Sequence, residues 1–209
     1  MTTVLIAYST SDGHTRAICE RIARGLETLG VSASLRPVPE CSDADVAASG
    51  AIVIAASIRY GKHKPEVAAF VTRHRATLLA RPNALFSVNV VARKPQKNRP
   101  ETNPYFKRLL QEIGWQPQLT EVFAGRIDYP RLGPVDRTMI RFIMWLTQGP
   151  TDPTRSFEFT DWQRVDAFAV RIAALLHRAG PASAACTPRA PADLAGSPDP
   201  HASMPGPAR

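Results

Sequence analysis

Two hydrophobic periods alternate along this chain, and the alternation is what most narrows the folds open to it. Val4 to Tyr8 is an uninterrupted apolar run of strand formers, as expected of a strand covered on both faces. After Ser9-Thr10-Ser11-Asp12-Gly13 the period changes. Ile18, Ile22, Leu26 and Leu29 recur at helical spacing, Glu20 precedes Arg24 by four residues on the opposite face, and Gly30 closes the helix. Ser32 to Arg36 is a second strand, and Ala51 to Ala56 a third. Pro65 opens a helical segment whose apolar face is Val67, Phe70, Val71, Leu78 and Leu79. Ala84 to Val91 reads as a fourth strand, Tyr105 to Ile113 as a helix, and Leu119 to Ala124 as a fifth strand. A last helix starts at a capping box of Thr160 and Gln163, carries Val165, Phe168, Ala169, Ile172, Leu175 and Leu176 inward, and stops at Gly180-Pro181.

Strands that alternate with helices require right-handed crossovers, and so a doubly wound parallel sheet with helices on both faces. Five strands give an α/β fold of the flavodoxin-like kind. A chain of 209 residues, 44% hydrophobic, builds one good core rather than two. We expect one domain over residues 1–179. It is interrupted after the fifth strand by a basic helical insertion over residues 126–156. Residues 180–209 hold seven prolines and few large apolar side chains, so they are expected to form a disordered tail.

The net charge of +8 favours an anionic partner without choosing among nucleic acid, membrane and small molecule. No nucleic-acid motif is recognisable, which argues against the first. Cys19, Cys41 and Cys186 are odd in number and widely spaced; reduced thiols are expected and no metal site. The chain lacks a signal-peptide pattern and any apolar run of spanning length, so a cytoplasmic protein is expected, at most lying on a membrane.

The first loop carries the strongest chemical signal. A strand, a short hydroxyl-rich loop and a helix N-terminus form a ready anion site, because unpaired amides and the helix dipole both favour negative charge. Ser9, Thr10, Ser11 and Thr15 add hydroxyls, and Gly13 and His14 complete the turn into the helix. The loop is neither the dinucleotide fingerprint nor a triphosphate loop. Hydroxyls without a lysine suit the terminal monophosphate ester of FMN. The competing reading is an ordinary turn with hydroxyl caps.

Two more loops are expected at the same sheet edge, where ligands of such folds gather. One is Ser57-Ile58-Arg59-Tyr60-Gly61, in which Tyr60 can lie against a flat ring and Gly61 allows close backbone approach. The other contains Ser87, Asn89 and Val90, with Asn89 able to pair with a ring edge. His63 is a candidate proton acceptor, although a lone loop histidine is more often simply solvated.

These segments taken together resemble one family. Ser9-Thr10-Ser11-Asp12-Gly13-His14-Thr15, Ala56-Ser57-Ile58-Arg59-Tyr60-Gly61, the run from Ser87 to Pro95, Asp128-Tyr129-Pro130-Arg131 through Asp136-Arg137, and Asp161-Trp162 resemble the bacterial flavodoxin-like, quinone-dependent protoporphyrinogen oxidases. The resemblance runs in order from Val4 to His177. Asp12 ahead of Gly13 departs from the ordinary flavodoxin loop. The resemblance implies an FMN enzyme of haem biosynthesis. It would take six electrons from protoporphyrinogen IX and pass them to a membrane quinone, ubiquinone or menaquinone, with the flavin carrying the redox chemistry.

The insertion bears on the acceptor. Val135, Met139, Phe142, Ile143 and Leu146 form an apolar stripe flanked by Ile140 and Met144, with Arg137, Arg141 and Trp145 beside it. Such a helix can rest in a bilayer interface with its arginines at anionic headgroups, on the cytoplasmic face of the inner membrane, or it can pack on the sheet. Arg93, Lys94 and Lys97, with Arg99 and Lys107, form a second basic cluster that either receives the substrate's propionates or solvates a loop. The alternatives are a soluble flavodoxin-type electron carrier and another FMN-dependent quinone reductase. A basic surface disfavours the carrier, whose partners are usually basic. Whether the protein is a homo-oligomer is left open.

Overall fold

The computed structural model describes residues 3–179. Its central sheet contains β1 (Thr3–Ser9), β2 (Ser32–Pro37), β3 (Ala51–Arg59), the short β4 (Lys62–His63), β5 (Asn83–Val88) and β6 (Leu119–Phe123). The five long strands are parallel in the order β2-β1-β3-β5-β6, while β4 folds back antiparallel on β3. This is the doubly wound order in which the chain reverses direction beside β1, opening a crevice at the strands' carboxyl ends.

Alternation along the strands divides the core. Val4, Ile6 and Tyr8 face the layer of α1 (His14–Thr28) and the last helix, α7 (Trp162–Ala179). Leu5 and Ala7 face the opposite layer, with Val67, Phe70 and Leu109. That layer is made by α3 (Pro65–Arg73), α4 (Arg75–Ala80) and α5 (Pro104–Ile113), preceded along the chain by the short α2 (Asp43–Ala48). Gly25 lets α1 approach α7: a Cβ there would stand 3.0 Å from the Cβ of Ala169.

Three expectations need correction, and one short element was not foreseen. The fourth strand ends at Val88 rather than Val91, because Asn89 caps a 3-10 turn over Val90–Arg93, accepting from the Ala92 amide at 3.1 Å. The helical segment opened by Pro65 breaks at His74 into α3 and α4, which leaves Leu79 exposed instead of in the apolar face. The last helix is capped by Asp161, which accepts from the amides of Gln163 and Arg164 at 3.1 and 3.2 Å; Thr160 points elsewhere. The short α2 escaped a search for apolar periodicity, yet Ser42 and Asp45 give it a complete capping box.

The insertion is more than a helix. β7 (Arg126–Asp128) and β8 (Ser156–Glu158) pair antiparallel and frame a 3-10 turn, Tyr129–Arg131, and α6 (Pro134–Leu146). Ile127, Tyr129 and Met144 form its own small core, against which Val90 of the β5 loop packs. The insertion is therefore joined to the sheet edge beside the crevice. The expected stop at Gly180-Pro181, the Pro-rich tail and Cys186 lie outside the described residues.

Candidate functional site

A cleft of about 660 Å³ opens at the carboxyl ends of β1, β3 and β5. It is lined by the three loops singled out in the sequence and roofed by α6. Thr10, Ser11, Asp12, His14 and Thr15 come from the first loop and the start of α1, Ser57 to Gly61 from the end of β3, and Asn89 and Val90 from the turn after β5. Met139, Ile140, Ile143 and Met144 come from α6.

The first loop presents an anion site with donors to spare. Gly13, whose φ of +78° is left-handed, is the N-cap of α1, with no side-chain cap and no acidic residue in the first turn, so the leading amides of the helix are unclaimed. Ser11 Oγ is buried without a hydrogen-bond partner among the described residues, and so is Ser57 Oγ across the cleft. Buried hydroxyls ordinarily find partners. Two orphans on one cleft, beside an uncapped helix start, fit the phosphate and polar chain of a flavin. Lys64, just ahead of α3, donates to the Thr10 carbonyl at 2.8 Å, so a lysine borders the loop although none occurs within it.

Other first-loop residues work differently from the expectation. Ser9 is buried and donates to Glu66 Oε1 at 2.6 Å, away from the cleft. Thr10 Oγ1 accepts from the Gly13 amide at 3.0 Å, which shapes the turn. His14 is held from behind. Thr160 Oγ1 donates to the Ala124 carbonyl at 2.8 Å, so at 2.7 Å it accepts from His14 Nε2, which must carry the proton. Burial pushes the pKa of His14 down, with Glu158 opposing. The Asp12 carboxylate accepts from Arg59 Nη1 at 2.8 Å and not from the helix amides.

The second loop is a tight hairpin. Arg59 pairs with Lys62 across a turn in which Tyr60 and Gly61 have φ of 52° and 75°, the twist that a two-residue hairpin favours. Tyr60 is exposed at the tip, and its hydroxyl and the Arg59 guanidinium both bond Asp136 on the first turn of α6. Asp136 thus links the hairpin to the roof of the cleft.

His63 and Ser87 do not line the cleft. They meet each other one layer behind it, Nε2 to Oγ at 2.9 Å, and burial depresses the imidazole to about 4. The Asn89 side chain holds its own turn and accepts from Asn103 Nδ2 at 3.1 Å, leaving backbone and Val90 as its loop's contribution to the cleft wall. Arg93 donates to Thr147 Oγ1 at 2.8 Å at the end of α6, and neither it nor Lys94 nor Lys97 reaches the cleft.

α6 has two apolar faces. The cleft face is Met139, Ile140, Ile143 and Met144; the outer face is Val135 at 72%, Phe142 at 61%, Trp145 at 69% and Leu146 at 68% exposure. Met139 and Ile143 border both, so apolar surface runs from cleft to solvent. Arg137 does not point outward: it donates to the carbonyls of Tyr129, Pro130 and Leu132. Arg141 is exposed and donates to the Thr151 carbonyl at 3.1 Å. Among the described residues no helix is long and apolar enough to cross a membrane.

Sequence reasoning missed Tyr105, Arg126, Asp128, Arg131 and Asp136 as cleft residues. For the last four the signal was their place in the unusual segment running into the insertion. For Tyr105 there was none, since its helix follows the fourth strand's loop at a distance the sequence does not give.

Residues 5–154 match the flavodoxin domain family. Over 171 residues the chain is 40% identical to protoporphyrinogen IX dehydrogenase (quinone) of Escherichia coli strain K12, covering 82% of this chain and 94% of that protein. A Leishmania major protein of the same name is 41% identical over 172 residues, covering 82% of this chain and 74% of that one. Among solved structures, a short-chain flavodoxin associated with a PDU bacterial microcompartment aligns with a TM-score of 0.50 at 13% identity, over 84% of this chain and 99% of that one. That likeness speaks for the fold.

Proposed function

We propose a division of labour within this chain, which belongs to the flavodoxin domain family and, inside it, to the quinone-linked protoporphyrinogen IX dehydrogenases. It is an oxidoreductase of haem biosynthesis that converts protoporphyrinogen IX to protoporphyrin IX with a quinone as acceptor. Six hydrogens leave the macrocycle, and three quinones become three quinols. The observation that carries this is 40% identity over nearly the whole length of the E. coli enzyme.

The cofactor is a flavin, and our reading is FMN: the unclaimed amides of α1 and the orphan hydroxyls of Ser11 and Ser57 offer a site for one terminal phosphate and a hydroxylated chain. When bound, the flavin accepts two electrons at a time from the substrate and releases them to the quinone. The chain's own residues bind and exclude. The α1 start and Ser11 would hold the phosphate end, the Arg59–Gly61 hairpin and the Asn89–Val90 turn would hold the ring, and Met139, Ile140 and Ile143 line the cleft with apolar surface that would keep water out.

We further assign the outer face of α6 to an anionic membrane surface on the cytoplasmic side, where ubiquinone or menaquinone is dissolved. Its support is the exposed row of Val135, Phe142, Trp145 and Leu146 beside the exposed Arg141, joined to the cleft through Met139 and Ile143. The flavin domain is taken as residues 1–179 with its insertion at 126–156, and residues 180–209 as a separate tail.

Purified protein mixed with protoporphyrinogen IX and a quinone in the dark should develop porphyrin fluorescence only when FMN is present. A colourless preparation that gains neither visible absorption nor activity with FMN contradicts the cofactor. An FMN-loaded protein that leaves protoporphyrinogen untouched contradicts the substrate.

A further inference from the structure

The segment from Asp128 to Arg137 stands out in the sequence, and binding a flavin gives it no task. Its turn is held rigidly. Tyr129 is fully buried and its hydroxyl donates to the Pro150 carbonyl at 2.7 Å, while Arg137 ties down the carbonyls of Tyr129, Pro130 and Leu132. A turn fixed from both sides presents Arg131 on the cleft wall next to Arg126 from the start of β7.

Both guanidinium groups lean on a single carboxylate oxygen. Asp128 Oδ2 lies 3.5 Å from Arg126 Nη2 and 3.7 Å from Arg131 Nε, beyond hydrogen-bond length, and Asp128 Oδ1 accepts from Ser156 Oγ at 2.7 Å. Asp128 is thus the one carboxylate within ion-pair distance of both cations among the described residues, and most of their N–H donors are left over. The neighbouring arginines differ. Arg59 is bound by Asp12 and Asp136, and Arg93 by Thr147 and the Val90 carbonyl.

Resting on the function given above, we propose that Arg126 and Arg131 receive the propionate carboxylates of the tetrapyrrole, the role the sequence offered to Arg93, Lys94 and Lys97. A planar guanidinium accepts a carboxylate through two parallel N–H bonds, so the pair fixes both the charge and the orientation of the substrate's acidic edge. Asp128 keeps the two cations together until a substrate carboxylate competes for them. The apolar remainder of the macrocycle then lies under Met139 and Ile143.

The test compares protoporphyrinogen IX with its dimethyl ester on FMN-loaded wild type, Arg126→Ala, Arg131→Ala and Arg131→Lys. Losing one charged hydrogen-bond pair should raise KM for the diacid about tenfold in each alanine variant, with kcat and quinone KM within about twofold. KM for the ester should stay unchanged, and R131K should recover part of the loss. FMN affinity and thermal midpoint report on folding and on the cofactor site. Equal losses on diacid and ester overturn the proposal, and so does a fall in FMN affinity that accounts for the defect in R126A. Wild-type turnover with unaltered variants refutes this inference alone; a wild type that does not oxidise protoporphyrinogen refutes the function on which it rests.

Discussion

Ser11 and His63 show how differently two buried polar groups can act in one fold. The Ser11 hydroxyl is buried with no partner among the described residues, so the apoprotein bears a desolvation cost there that a phosphate oxygen would remove. Ser11→Ala should leave the apoprotein's thermal midpoint unchanged or higher while weakening FMN binding about tenfold, read by flavin fluorescence titration. Unchanged FMN affinity would place the phosphate elsewhere. His63 acts on stability instead. Its imidazole protonates near 4 in the fold and near 6.5 in the unfolded chain, so the unfolded state binds the proton first as pH falls. Its effect is absent above pH 7 and grows between those two values, a loss of about 2–3 kcal/mol near pH 4. His63→Gln, which can keep a hydrogen bond to Ser87, should flatten the fall of unfolding free energy between pH 7 and pH 4.5. Part of the slope will remain, since burial also lowers His14 and His74. A slope identical to wild type would contradict the burial of His63. The sequence marked Ser11 as a loop hydroxyl for the phosphate but not its lack of a partner, and it left the stability role of His63 unread, because both depend on residues tens of positions away.

At the scale of elements, α6 is where sequence periodicity told part of the story. The apolar stripe from Val135 to Leu146 was legible, but the existence of two apolar faces was not, because a stripe does not say which neighbour it meets. The structure turns Met139, Ile140, Ile143 and Met144 to the cleft and leaves Val135, Phe142, Trp145 and Leu146 outside. Arg137 sat on the helix's polar side in the sequence, yet three backbone carbonyls claim it. If the outer face meets a membrane, replacing Phe142 and Trp145 together by Ser should reduce sedimentation with anionic vesicles several-fold, from the area of two large side chains. Turnover with a water-soluble quinone should be kept, because neither residue lines the cleft. Unchanged sedimentation would remove the membrane assignment and leave the enzyme intact.

For the molecule as a whole, most of the fold was legible because buried parallel strands announce themselves as unbroken apolar runs, as at Val4 to Tyr8 and Ala51 to Ala56. What escaped lay where the chain turns: the end of β5 at Val88, the break at His74 and the ribbon of β7 with β8, all decided by local hydrogen bonds or by strands only three residues long. The cleft was legible as three loops on one edge. Its fourth wall, which brings Arg126, Arg131 and Asp136 opposite those loops, required the path of the insertion through space. If this cleft transfers electrons from protoporphyrinogen to quinone, an anaerobic balance will show it. With FMN-loaded protein, excess quinone and oxygen excluded, three quinols should form for each protoporphyrin IX, in step with its fluorescence. Porphyrin formation that needs oxygen and leaves the quinone oxidised would contradict that transfer.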